Sequence, residues 1–171
     1  SQMKLVTIEA GPTGKPGALL ENGDILDLAQ AAQAAGGELP DSVAGILEGG
    51  EKTLDEVRRL VSEAAQSDAV LPGGTTKLLA PIPRPNLVMS AGSNYRAHLK
   101  EMGDAPPPPH PLAFIKCAVS ITGPGWPIQV PPQCPGMVDY EGEFTIVFGR
   151  VCHDVSEADA LDYVGGYTIV N

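Results

Sequence analysis

Two short stretches hold the residue types from which a reaction centre is built. The first is Asp139-Tyr140-Glu141-Gly142-Glu143. Alternate residues of a strand share a face at about 6.6 Å spacing, so an extended conformation points Asp139, Glu141 and Glu143 the same way. Parallel carboxylates repel unless water or a cation neutralises them. A hard divalent cation does this well, because Mg²⁺, Mn²⁺ and Ca²⁺ prefer oxygen ligands. A solvent-facing acidic strand has the same spacing and needs no metal, so spacing alone leaves both readings open.

The second stretch runs from Asn94 to Met102 and contains His98 and Glu101. On a helix these two sit at i and i+3 and share a face. A carboxylate beside an imidazole orients it and raises its basicity, which a general-base pair requires. An exposed helix with an incidental pair satisfies the same pattern. The loop that follows, Asp104–Pro111, carries four consecutive prolines and His110 and reads as a cover or linker rather than core. His110 and His153 read as surface residues. Cys117, Cys134 and Cys152 lack any CxxC pairing and read as ordinary thiols, not a zinc site.

The elements that must position these residues follow from local pattern. Residues 3–9 read as a strand and Gly11–Gly17 as a loop without phosphate-loop spacing. Asn22-Gly23 reads as the turn of a hairpin flanked by Leu19-Leu20 and Ile25-Leu26. A helix is expected over 27–35, ending at Gly36-Gly37, with a short second one from Asp41. A third starts at Thr53, with Thr53 and Glu56 as a capping box. Its apolar stripe of Val57, Leu60, Val61 and Ala64 is core. Strands are expected over 86–90, 112–116, 143–148 and 166–170, and a helix capped by Ser156 and Asp159 through Leu161. Fourteen of the 17 prolines lie between Pro72 and Pro135, and proline removes the amide donor that helices and central strands use. That excludes a helical bundle there and sets a boundary near 72–77.

Composition narrows the function classes. The chain has 171 residues, 43% of them apolar, with a net charge of −10. A packed core is expected and wholesale disorder is not. Both halves are acidic, which argues against nucleic acid as a partner. No apolar run approaches the roughly 18 residues of a membrane-spanning helix, so no membrane partner is expected. Met3 reads as the natural start, with Ser1-Gln2 an added pair. No charged-then-apolar leader is evident, and reduced thiols in a cytoplasm are the expectation.

Five motifs occur in an order that is itself informative: Ala80-Pro81-Ile82-Pro83-Arg84-Pro85; Gly92-Ser93-Asn94-Tyr95 with His98 and Glu101; Phe114-Ile115-Lys116; Val138–Glu143; and Asp162–Asn171. Each is weak alone. Together, in this order and at these separations, they resemble the fumarylacetoacetate hydrolase family over nearly the whole chain. The resemblance implies an α+β protein: a small amino-terminal α+β domain, residues 1–72, and the first part of a mixed β-roll catalytic domain, residues 73–171. It implies a homodimer that binds Mg²⁺ or Mn²⁺ through Glu141 and Glu143. A third ligand, an Asp, is expected directly after Asn171. The family domain runs further, so the reading expects the polypeptide to continue beyond Asn171, with the remainder of the chain as a partner of this part.

In smaller members of the family the His and Glu of the lid helix act together on water, and these match His98 and Glu101. Tyr95, Arg96 and Ser93 read as lid or substrate contacts. Lys116 reads as a source of positive charge, with a structural role fitting equally well. Ser93 stands where acylpyruvate-cleaving members often carry Arg; a Ser supplies no charge to grip a carboxylate, which counts against classical acylpyruvate specificity. The leading expectation is a metal-dependent hydrolase that cleaves a carbon–carbon bond in a 1,3-dicarbonyl acid, a small-molecule keto acid, with the His98–Glu101 pair activating water. An isomerase, decarboxylase or lyase acting on a related 2-keto acid through the same kind of enolate is the alternative. A binding module without catalysis is a third reading.

Overall fold

The computed structural model describes residues 3–171; the Ser1-Gln2 pair, read above as an addition, lies outside the described residues. The chain forms two compact units, one made of the residues up to Ile82 together with Thr122–Asn171, the other of Pro83–Ile121. The architecture is α+β, as the sequence implies.

The first unit contains an antiparallel five-stranded sheet in the order β4-β3-β2-β1-β5. Its strands are β1 (Lys4–Ile8), β2 (Lys15–Leu19), β3 (Ile25–Asp27), β4 (Val70–Leu71) and β5 (Leu78–Leu79). Three helices cover it: α1 (Leu28–Ala34), α2 (Val43–Glu48) and α3 (Gly50–Ser62). Ala18 and Leu26 of the sheet pack against Leu28, Ala31 and Ala32 of α1, Ile46 of α2, and Val57 and Leu60 of α3. Burying a side chain of this size contributes roughly 1.5–3 kcal/mol, so this cluster is the main source of cohesion in the unit. The Val57–Leu60 stripe is core, as its helical spacing predicts.

Two local expectations change, the loop over residues 15–17 and the start of α3, while the Asn22-Gly23 hairpin forms as expected. Residues 15–17 are strand, not loop. Pro16 is tolerated because β3 pairs only with Gly17, Ala18 and Leu19, so no neighbour on that side needs an amide from Pro16. Gly17 has no space for a Cβ, which would lie 2.9 Å from Ile8 Cδ1 and 3.0 Å from Ile25 Cγ2. The hairpin turn spans residues 20–24 and is closed by Leu20 N–H donating to the Asp24 carbonyl at 2.8 Å. Helix α3 starts at Gly50, three residues before Thr53, and Gly49 occupies the cap without a side-chain hydrogen bond. The Thr53–Glu56 capping box therefore does not form; Glu56 instead pairs with Arg59.

The same unit carries a second sheet, the antiparallel hairpin of β8 (Glu143–Phe148) and β9 (Val164–Val170). At its turn end the backbones of Gly149 and Gly165 meet: a Cβ on Gly149 would lie 2.8 Å from Gly165 Cα, and one on Gly165 would lie 3.3 Å from Leu47 Cδ1. This close approach seats the hairpin on α2. Between the two strands, Ser156 Oγ accepts from Asp159 N–H as expected, but only a 3₁₀ turn over Ala160–Tyr163 follows, not an α-helix.

The second unit is a hairpin of β6 (Val88–Gly92) and β7 (Leu112–Lys116) joined through α4 (Arg96–Glu101). Strand β6 begins two residues later than its apolar pattern suggests and pairs with β7 from Val88↔Lys116 to Gly92↔Leu112. Burial divides the chain sharply: every large apolar side chain that is exposed lies at or beyond Leu87. Among the described residues no helix is long and apolar enough to cross a membrane.

Candidate active site

In the second unit, β6 ends at Gly92 and the chain turns at Ser93, whose φ of 54° is left-handed. Asn94 and the extended Tyr95 lead into α4, which places Arg96 in its first turn and His98 and Glu101 on one face. Leu99 is the buried anchor of this helix. The helix ends through Gly103 and Asp104, with φ of 83° and 56°, and Ala105 N–H donates to the Leu99 carbonyl at 3.0 Å.

His98 Nδ1 stands 4.0 Å from Glu101 Oε2. The pairing expected from the i, i+3 spacing is present, but at ion-pair range rather than hydrogen-bond range. Both side chains are open to solvent, so the pair is accessible to a substrate. Lys116 closes β7 with its ammonium 5.7 Å from the centroid of the Phe114 ring, a distance that supports a cation–π contact. His98, Glu101, Ser93, Tyr95, Arg96 and Lys116 thus all belong to one unit.

Glu141 and Glu143 belong to the other. Only Glu143 lies on a strand; it opens β8 opposite Val170. Residues 139–142 are outside regular structure, which corrects the expectation of three carboxylates on one strand face. Asp139 turns back instead, its Oδ1 accepting from Tyr140 N–H at 2.8 Å. Glu141 is held differently: its N–H donates to Asn171 Oδ1 at 2.8 Å. On β8 the half-buried side is Glu143, Thr145 and Val147, while Phe144, Ile146 and Phe148 face outward. Phe144 stacks on Tyr167 across the ladder with centroids 5.2 Å apart.

The donor set suits a hard divalent cation. Glu141 and Glu143 offer carboxylate oxygens two positions apart, and among the described residues neither forms an ion pair that would compete for a cation. Among the described residues no cluster of three His, Cys, Asp or Glu side chains within metal reach is present. The three cysteines are free and exposed, and His153 pairs with Asp154 at 3.2 Å on the surface, as their sequence contexts suggest. The contact that sequence reasoning missed is Asn171 to Glu141; 30 residues separate the partners, and no local pattern marks it.

The family model described as fumarylacetoacetate (FAA) hydrolase C-terminal matches residues 87–171. The oxaloacetate tautomerase YisK of Bacillus subtilis strain 168 is 35% identical over 179 residues, covering 99% of this chain and 59% of its own length. The mitochondrial oxaloacetate tautomerase FAHD2A of Bos taurus is 35% identical over 172 residues, covering 99% of this chain and 52% of its own. Among solved structures, maleylpyruvate hydrolase from Sphingobium sp. SYK-6, in complex with manganese (II) ion and pyruvate, aligns with a TM-score of 0.70 at 25% identity, over 98% of this chain and 57% of that one. The fumarylacetoacetate hydrolase of Exiguobacterium antarcticum aligns with a TM-score of 0.68 at 28% identity, over 98% and 55%. The chain spans between half and three-fifths of the length of these two tautomerases.

Proposed function

The chain belongs to the fumarylacetoacetate hydrolase family, and from that premise we propose that it is part of a metal-dependent enzyme that interconverts the keto and enol forms of an oxaloacetate-like 2-oxo dicarboxylic acid. The observation that carries the reading is 35% identity across 99% of the chain to an oxaloacetate tautomerase. Hydrolysis, which the motifs alone put first, becomes the second reading.

Glu141 and Glu143 would hold Mg²⁺ or Mn²⁺, which when bound supplies a Lewis acid for a carbonyl and its neighbouring carboxylate. The chain's own groups do the rest. His98 removes a proton from the carbon flanked by the 2-oxo and carboxylate carbons. The C–H electron pair becomes the enol C=C bond, the carbonyl oxygen takes up a proton, and no second reactant is consumed. In the reverse direction the protonated imidazole returns the proton to carbon. Glu101, on the same face of α4, favours the imidazolium between these steps. The Arg96 guanidinium offers a two-pronged contact to a substrate carboxylate, and Lys116 adds a second positive charge.

One observation favours carbon–carbon hydrolysis as the second reading: the backbone similarity to a maleylpyruvate hydrolase. There His98 would take its proton from water, and the hydroxide formed would attack a carbonyl. Labelled solvent separates the two. Full-length protein with Mg²⁺ or Mn²⁺ in deuterated water should speed exchange at C3 of oxaloacetate and leave the carbon skeleton intact. Exchange no faster than in buffer, with ¹⁸O from labelled water entering cleavage products of an acylpyruvate, would replace tautomerisation by hydrolysis.

A further inference from the structure

We propose that Asn171 is a positioning residue for the metal site: its side-chain oxygen fixes the backbone of Glu141, so that both carboxylates are aimed before a cation arrives. This rests on the reading of Glu141 and Glu143 as metal ligands.

The two glutamates differ in how they are held. Glu143 is the first residue of β8 and is paired with Val170 of β9. Its Cα–Cβ direction is set by the ladder. Glu141 has no ladder, because residues 139–142 lie outside β8. Left alone, its backbone would sample several conformations, and ordering it would oppose metal binding. The hydrogen bond from Glu141 N–H to Asn171 Oδ1, 2.8 Å, removes that freedom. Asn171 is placed to make it because it directly follows β9, whose last residue faces Glu143.

The residue type fits this role. The Asn carbonyl accepts the amide proton without bringing a third negative charge to a pair of carboxylates. The nearby Asp139 does not hold Glu141; its Oδ1 accepts from Tyr140 N–H instead. The arrangement is that of outer residues that orient ligands in metal sites, whose loss weakens binding about 10–100-fold.

The test uses full-length protein and two readouts. Mn²⁺ binding is measured by calorimetry or electron paramagnetic resonance on wild type, Glu141→Ala, Asn171→Leu and Asn171→Asp. Asn171→Leu keeps the size but removes the acceptor, and should bind Mn²⁺ at least about tenfold more weakly. Asn171→Asp keeps an acceptor and should bind at least as tightly as wild type. Separately, hydrogen exchange of the Glu141 amide in metal-free wild type should be slower than in an unstructured peptide, and should speed up in Asn171→Leu while the unfolding temperature is unchanged. The wild-type exchange result stands even if a variant fails to fold. Wild-type Mn²⁺ affinity in Asn171→Leu, or an unprotected Glu141 amide in wild type, overturns the proposal while leaving the metal ligands in place. Unchanged binding in Glu141→Ala instead overturns the metal assignment and the proposal with it.

Discussion

His98 Nδ1 and Glu101 Oε2 face each other across one side of α4 at 4.0 Å, with the two side chains 50% and 79% exposed. An exposed pair at this range is worth roughly 0.2–1 kcal/mol. The two residues should therefore contribute unequally. His98→Asn should lower kcat by about 10²-fold or more, since proton transfer by a positioned base contributes that much. Glu101→Gln should cost less than about tenfold. Steady-state kinetics on full-length protein decides this, and equal losses in the two variants would show that they act as one unit.

Metal dependence should separate the two sets of residues. Chelation should abolish turnover, and Mn²⁺ or Mg²⁺ should restore it in wild type and leave Glu141→Ala or Glu143→Ala inactive. His98→Asn should bind Mn²⁺ with wild-type affinity if Glu141 and Glu143, and not the imidazole, hold the cation. Retained turnover in either glutamate variant would remove these carboxylates from the site.

Ser93 turns the chain into α4 with a φ of 54°. A left-handed conformation costs an L-residue about 1–2 kcal/mol, and glycine almost nothing. Ser93→Gly should keep activity and folding intact, whereas the β-branched Ser93→Val should be about 1–2 kcal/mol less stable than Ser93→Gly and raise KM. Loss of substrate affinity in Ser93→Gly equal to that in Ser93→Val would show that the hydroxyl, not the turn, is what the enzyme needs.

Asp27 is buried and has two roles. Its Oδ1 accepts from Gln30 N–H at 3.2 Å as the cap of α1, and its Oδ2 pairs with Lys15 at 2.5 Å. Asp27→Ala should cost about 3 kcal/mol by removing the cap and leaving Lys15 without its partner. Asp27→Asn, which keeps the cap, should cost less. Urea unfolding followed by circular dichroism measures both.

Glu56 is held below its ordinary value of 4.5 by its hydrogen bond to Arg59, with the guanidinium charge adding to this. A depressed carboxyl favours the folded state above its unfolded value. That contribution is complete above pH 4.5 and is lost as pH falls from 4.5 through the lower folded value. The pair lies at the surface, partly exposed to solvent, so the effect is small. Glu56→Gln should flatten the stability curve in that acidic window and leave it unchanged near pH 7. An acid slope identical to wild type would show that the pair contributes nothing.

What the sequence determined by itself was everything encoded within a few residues of itself. Asp27 before an alanine-rich run reads as a helix start. Val57 and Leu60 read as core from their spacing. Glu143–Phe148 reads as a strand from its alternation, and the order of five motifs identified the family. Such features depend on backbone preference and side-chain period, which neighbouring residues specify. The tertiary structure decided the rest. Pro16 could enter β2 only because β3 stops short of it. Gly165 is required because Gly149 and Leu47 press against it. Helix α3 begins at Gly50, directly after α2, so Thr53 lies inside the helix rather than at its cap. Glu141 is fixed by Asn171, and Glu143 by Val170, each across a separation that local preference cannot see. Contacts of this kind exist only after the chain has closed on itself, which is why Glu141 and Glu143 stood out in the sequence as candidates and what holds them in place did not.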